Sequence, residues 1–192
     1  MKIKNRAVFL DRDGTINEEV SYLKDLKDLK ILPEAPGAIK LLNEHSFKVV
    51  VITNQSGVAR GYLTEEKLEE IHEEMRRQLS EKGAQLDAIY YCPHHPTQGK
   101  GKYRKNCWCR KPNPGMLERA ASELELDLGR CYVVGDKLID LQAGLRVDCK
   151  TVLVLTGYGK KYSNEKIEAK INIDYVAKTL KDAAEWITNQ KR

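Results

Sequence analysis

Near the amino end, Ala7-Val8-Phe9-Leu10-Asp11-Arg12-Asp13-Gly14-Thr15 joins four consecutive apolar residues to two carboxylates and a glycine. A run apolar at every position fits a strand of a parallel sheet, where both faces are covered. In open α/β sheets ligands sit at the carboxyl ends of the strands, so Asp11 and Asp13 stand where a ligand would be. Two carboxylates two residues apart concentrate negative charge that needs a metal ion or a positive partner. Gly14 allows a sharp turn and close approach to a ligand. An EF-hand also begins D-x-D, but it needs glycine at its sixth position and glutamate at its twelfth; here those hold Ile16 and Tyr22. For this stretch alone, a capping turn with solvated carboxylates stays open as the alternative.

Outward from it, β-branched runs alternate with helical patterns. Val49-Val50-Val51-Ile52, Ala88-Ile89-Tyr90-Tyr91, Cys131-Tyr132-Val133-Val134 and Thr151-Val152-Leu153-Val154-Leu155 read as further strands. Apolar stripes at Ala38, Leu41 and Leu42, and at Leu68, Ile71, Met75 and Leu79, read as helices. Thr64 is placed to cap the second and Gly83 to close it. Pro114 reads as the first residue of a third helix, with Leu117, Ala120, Ala121 and Leu124 on its apolar face. Leu180, Ala183, Ala184 and Ile187 mark the last. The alternation predicts an α/β fold with a mostly parallel sheet, a three-layer sandwich. Residues 17–32 and 92–109 break the pattern as long loops, which inside a domain are usually functional or disordered.

The 192 residues predict a single domain, 1–192. With 41% hydrophobic and 32% charged residues the chain is neither a membrane protein nor a disordered one. Only Ala7 to Leu10 follows the basic start, too short for a signal-peptide core, so the chain reads as cytoplasmic. A net charge of +5 fits an anionic ligand without requiring nucleic acid. Lys100, Lys102, Arg104, Lys105, Arg110 and Lys111 form a basic run without an acid, ordinarily a solvated loop.

Other strand ends supply matching groups: Thr53-Asn54-Gln55-Ser56-Gly57 after the second, and Gly135-Asp136-Lys137-Leu138-Ile139-Asp140 after the fourth, with Arg110-Lys111-Pro112 between them. Carboxylates, magnesium, a hydroxyl and an ammonium make a phosphoryl-transfer site. D-x-D-G-T, Thr53, Lys111 and G-D-x-x-x-D, in this order, resemble the motifs of the haloacid dehalogenase (HAD) phosphohydrolases, over nearly the whole chain. The resemblance implies the HAD-like Rossmannoid fold. It further implies Asp11 as nucleophile, Asp13 as general acid and base, and Mg²⁺ on Asp11, the Asp13 carbonyl and Asp136. Thr53 and Lys111 would hold the phosphoryl oxygens, and Asp140 would support Lys111 or a metal-bound water. Only 39 residues separate Asp13 from Thr53. The interval from Asn54 to Arg110 is filled by a helix, a strand and a loop, so no large cap domain is expected.

Cys92-Pro93-His94 and Cys107-Trp108-Cys109 present C-x-H and C-x-C pairs separated by twelve residues. Soft ligands in this pattern match a tetrahedral zinc site on Cys92, His94, Cys107 and Cys109, with His95 as an alternative fourth ligand. Four protein ligands leave no open position, so the zinc would be structural and would pin the basic loop beside Arg110 and Lys111. Cys131 and Cys149 read as core thiols, and His45 and His72 as solvated helix residues.

An uncapped HAD enzyme with this cysteine loop running into R-K-P resembles the subgroup acting on heptose 1,7-bisphosphates and on histidinol phosphate. The length of the loop and Thr53 to Gly61 favour the heptose enzymes. That resemblance implies a small phosphorylated sugar as substrate, losing its C7 phosphate on the way to nucleotide-activated heptose. Glu19, Val20, Ser21, Tyr22, Asn54, Gln55, Ser56, Arg110 and Lys137 would contact the substrate. A histidinol-phosphate phosphatase is the alternative. A polynucleotide phosphatase and a non-catalytic zinc module binding nucleic acid are weaker readings, since clustered carboxylates repel polyanions. No nucleic-acid or membrane partner is expected, and the chain reads as a monomer.

Overall fold

The computed structural model describes residues 4–163 and 171–190, so the two ends of the expected 1–192 domain lie outside the described residues. Six strands form one sheet: β1 Ala7–Leu10, β2 Lys48–Asn54, β3 Ala88–Cys92, β4 Tyr132–Gly135, β5 Lys150–Val154 and β6 Tyr175–Ala177. Their order is β3-β2-β1-β4-β5-β6, and every pairing is parallel. The main helices are α1 Ala35–Glu44, α2 Glu65–Ser80, α3 Gly115–Glu123, α4 Leu138–Leu145, the short α5 Gly159–Tyr162, and α6 Leu180–Asn189.

Alternation along the central strands builds the layers. Val8, Leu10, Val49, Val51 and Val134 turn to one face and pack with buried residues of α1, α2 and α6, among them Ile39, Ile71, Met75 and Ala184. Ala7, Phe9, Val50, Ile52 and Val133 turn to the other and pack on Leu117 and Ala120 of α3 and Ala143 of α4. Helices on both faces explain why the strands are apolar at consecutive positions.

The ends of α2 are as read: the Thr64 hydroxyl accepts from the Lys67 amide, and Gly83 takes φ +77° beyond the last turn. Pro114 differs by one position, standing before the helix that begins at Gly115. Strand β6 and helix α4 were not expected. The first has three residues, and the second is only eight residues long and apolar at most of them, so no polar face sets off a stripe. The 17–32 segment is irregular but tied down, with Glu18 N–H donating to Lys30 O and Leu32 N–H to Ile16 O, both at 2.9 Å. Among the described residues no helix is long and apolar enough to cross a membrane.

Since β2 and β3 run to one side of β1 and β4 to β6 to the other, a crevice opens at the carboxyl ends of β1 and β4. The smaller core depends on Leu117, which is fully buried. Leu117→Ala is expected to cost about 2–5 kcal/mol, read as a lower urea midpoint at unchanged m-value; a cost under about 0.5 kcal/mol would contradict this packing.

Candidate active site

Four strand ends converge at this crevice. Asp11 follows β1, Thr53 is the next-to-last residue of β2, Asp136 follows β4, and Gly157 and Tyr158 follow β5. Lys111 arrives from the loop before α3, its ammonium 2.9 Å from Asp11 Oδ1, 2.7 Å from Asp140 Oδ1 and 2.6 Å from the Ile52 carbonyl. Asn54 fixes the loop: its Nδ2 donates to Lys111 O at 3.0 Å and its Oδ1 accepts from Lys111 N–H at 3.1 Å. Asp140 also accepts from the Lys137 amide at the start of α4. It therefore anchors Lys111 and caps a helix at once.

Asp11, Asp136 and Asp140 are buried and offer oxygens within 4.8 Å of one another. Burial, and then the charge of Asp11, push the carboxyl groups of Asp136 and Asp140 above the usual carboxylate range. Burial alone would lower the Lys111 ammonium, but Asp11 and Asp140 outweigh it and hold it protonated. Asp136 Oδ2 accepts from the Tyr158 amide at 2.8 Å, while Oδ1 has no hydrogen-bond partner and sits 3.6 Å from Lys137 Nζ. A Cβ on either Gly14 or Gly157, both at positive φ, would collide with the Asp136 carboxylate. The chain thus packs two glycines against this carboxylate and leaves one oxygen unsatisfied. An oxygen-only donor set with an orphaned buried carboxylate oxygen fits a hard divalent cation such as Mg²⁺.

Asp13 lies beside this cluster. Its Oδ1 accepts from Arg12 and Asn17 and its Oδ2 from Arg12 and Gln55. Burial would raise its pKa, but Arg12 and the two amides outweigh that and lower it. Gln55 Nε2 also donates to Thr53 Oγ1 at 2.8 Å, which leaves the Thr53 hydroxyl proton free to point into the crevice. Arg12 Nη1 meets His72 Nε2 at 3.2 Å. This corrects the reading of His72 as solvated: it is buried, and burial followed by Arg12 pushes its pKa down to about 3, so it is neutral. His45 is exposed as expected, and Cys131 and Cys149 are buried.

A cavity of about 350 Å³ opens over these groups, lined by Asp13, Glu19, Ser21, Tyr22, Asn54, Gln55, Ser56, Arg110 and Lys137. Val20 is exposed and does not line it. Leu23, Gly57, Ile139 and Tyr158 line it and were not foreseen. The Gly157-Tyr158-Gly159 turn after β5 was the signal for Tyr158, because paired glycines after a strand mark close backbone approach. Lys137 Nζ reaches Glu19 Oε2 at 2.8 Å and Tyr158's ring at 4.9 Å, and Glu19 Oε1 accepts from Ser21 N–H.

Cys92, His94, Cys107 and Cys109 come together as expected, all ligand atoms within 4.8 Å, with Sγ of Cys92 and of Cys109 each 3.6 Å from His94 Nδ1. Zinc bonded to sulfur at about 2.3 Å and nitrogen at about 2.0 Å needs edges of roughly 3.5–3.8 Å, so the cluster could hold zinc. Cys109 donates to Cys92, which lowers the Cys92 thiol and raises that of Cys109. One thiolate is favoured, and further ones need a cation. His95 is otherwise engaged, its Nδ1 accepting from the Thr97 and Gln98 amides. The loop bears on the crevice through Arg110, whose Nη1 donates to the His94 carbonyl at 2.9 Å.

A parallel sheet carrying these acids, lysine and threonine at its strand ends is a HAD-type phosphatase. The HAD-hydrolase-like family model matches residues 108–183. A D-glycero-β-D-manno-heptose-1,7-bisphosphate 7-phosphatase from Pasteurella multocida is 42% identical over 92% of this chain and 98% of its own. The enzyme of that name from Escherichia coli K12 is 41% identical over 97% and 95%. A D,D-heptose 1,7-bisphosphate phosphatase from B. bronchiseptica, solved with magnesium and phosphate, superposes with a TM-score of 0.81 at 36% identity, covering 95% and 97% of the two chains. The chain belongs to the family of these heptose-bisphosphate phosphatases, within the HAD-like hydrolases.

Because Asp136 is buried against two other carboxylates, Asp136→Asn is expected to stabilise the metal-free protein by about 1 kcal/mol. That raises Tm by roughly 2–4 °C, while magnesium-dependent phosphate release is lost. A lowered Tm would contradict the buried repulsion.

Proposed function

We propose that this chain removes the C7 phosphate of D-glycero-β-D-manno-heptose 1,7-bisphosphate and leaves the 1-phosphate. The observation that carries the reading is the buried contact of Asp11 with Lys111, whose sequence neighbours Asp13 and Arg110 line a cavity that Lys137 also lines. The β anomer follows the names of the relatives.

The Asp11 and Asp136 carboxylates and the Asp13 carbonyl would hold Mg²⁺, which would supply charge neutralisation between the nucleophile and the phosphate dianion. Asp11 attacks phosphorus in line and becomes the aspartyl-phosphate. The bond from phosphorus to the C7 oxygen breaks, and that oxygen keeps the electron pair and takes a proton from Asp13. Negative charge on an arriving phosphate favours the protonated form of Asp13. Water then attacks the phosphorus, giving its proton to the Asp13 carboxylate, and inorganic phosphate leaves with Asp11 regenerated. Lys111 and the Thr53 hydroxyl hold the equatorial oxygens throughout. Lys111 is already oriented by Asp140 and by the Asn54 clasp on its backbone.

Arg110 at the rim suits the remaining phosphate, because its planar fork donates in pairs to a phosphate. Lys137 offers a second cation to the sugar, and its partner Glu19 offers a carboxylate that accepts from a hydroxyl. Zinc on the cysteine loop would act through Arg110, which is fastened to the backbone of His94. The enzyme acts as a cytoplasmic monomer on a small substrate. A nucleic acid would meet α2, whose Glu65 and Glu66 line the groove beside the loop.

Asp11→Asn is expected to abolish phosphate release from the heptose 1,7-bisphosphate in a magnesium-containing assay and leave the melting curve intact. A higher kcat/KM for histidinol phosphate than for the heptose ester would overturn the choice of substrate. Stripping the cysteine-bound metal is expected to lower Tm and raise KM for the bisphosphate by about tenfold, the loss of one charged hydrogen bond; retention of both would remove the zinc from this mechanism.

A further inference from the structure

Arg12 sits between the two carboxylates of the first motif and is buried completely. Arginine is almost never fully buried unless it is paired, and Arg12 does not line the cavity. Its guanidinium folds back on Asp13: Nε donates to Oδ1 at 3.1 Å, and Nη2 donates to Oδ1 at 3.0 Å and Oδ2 at 2.9 Å. The remaining arm, Nη1, meets His72 Nε2 at 3.2 Å. A guanidinium has no acceptor, so Nε2 of His72 accepts and its ring proton resides on Nδ1. That nitrogen faces Glu69 Oε2 at 3.9 Å. A relay therefore runs from α2 through His72 and Arg12 to both oxygens of Asp13.

We propose that Arg12 and His72 are positioning residues that hold the Asp13 carboxyl group in the orientation needed for proton transfer to the leaving oxygen. Proton transfer needs heavy atoms within hydrogen-bond reach, and an aspartate side chain has two free torsions. Donors on both oxygens fix both torsions. His72 in turn fixes Arg12, since without an acceptor the third arm of a buried guanidinium is unsatisfied and free to turn away. The inference rests on Asp13 being the general acid of the proposed reaction.

The test compares kcat/KM for the heptose 1,7-bisphosphate, whose alkoxide leaving group needs a proton, with that for 2,4-dinitrophenyl phosphate, whose leaving group does not. Asp13→Asn sets the reference, with a loss of about 10²–10⁴ on the sugar ester and a much smaller one on the activated ester. Arg12→Lys and His72→Leu are expected to lose at least about tenfold more on the sugar ester than on the activated one, a fraction of the full general-acid contribution. His72→Gln, which keeps an acceptor for Arg12, is expected to recover most of that difference. Equal losses on both esters in the Arg12 and His72 variants, alongside a selective loss in Asp13→Asn, would overturn the inference. A non-selective loss in Asp13→Asn would instead overturn the reading of Asp13. If Arg12→Lys does not fold, the two His72 variants decide: no difference between leucine and glutamine counts against the relay.

Discussion

Three buried carboxylates crowd at the carboxyl edge of the sheet against two ammonium groups, Lys111 on Asp11 and Asp140 and the partly exposed Lys137 on Asp136, and the site is organised by that crowding. Lys111 lies within 3 Å of Asp11 and of Asp140, and Asp136 completes the group with an oxygen that accepts no hydrogen bond and faces Lys137 only at 3.6 Å. Desolvated like charges repel strongly, and Lys111 with the more distant Lys137 does not balance three carboxylates. The fold accepts this instability where a divalent ion would relieve it and a phosphate dianion would then follow. Catalytic sites commonly carry such locally unfavourable charge, offset by packing elsewhere. Here the offset comes from two apolar cores, one on each face of a wholly parallel sheet.

Lys111 has no strand of its own, so its placement comes from contacts across long stretches of sequence. Asn54 at the end of β2 grips its backbone from 57 residues away, and Asp140 holds its ammonium while capping α4. On the opposite side, Arg110 is fastened to the backbone of His94. Consecutive residues of one loop are thereby tied to two different structures, the sheet and the cysteine cluster. This division suits a substrate with two phosphates, one at the floor and one at the rim.

Much of this was legible in the sequence because the chemistry is concentrated at strand ends. Five strands followed from apolar runs, Asp11, Thr53 and Asp136 from their places at the ends of those runs, and Lys111 from the resemblance of the four motifs together. The cysteine cluster followed from ligand spacing. What could not be read depended on direction in space. The Asn54 amide reads as a ligand contact, but both of its ends are taken by the Lys111 backbone. Arg12 draws no reading and His72 reads as a solvated helix residue, yet the two meet in the interior, His72 coming from α2. Tyr158 belongs to a turn after β5 that its flanking glycines mark, but its partner Asp136 follows from the pairing of β4 with β5. Helix α4 is short and apolar on most of its positions, so no stripe stands out, and β6 is too short to be seen.

The charge imbalance is tested most directly by a crystal structure grown with Mg²⁺ and beryllium trifluoride, which imitates a phosphoryl group on a carboxylate. The predicted result is beryllium bonded to Asp11 and an octahedral ion about 2.1 Å from oxygens of Asp11 and Asp136, with Lys111 still paired to Asp140. An ion seated on Asp140 with Lys111 displaced, or a fluoride adduct on another residue, would contradict it.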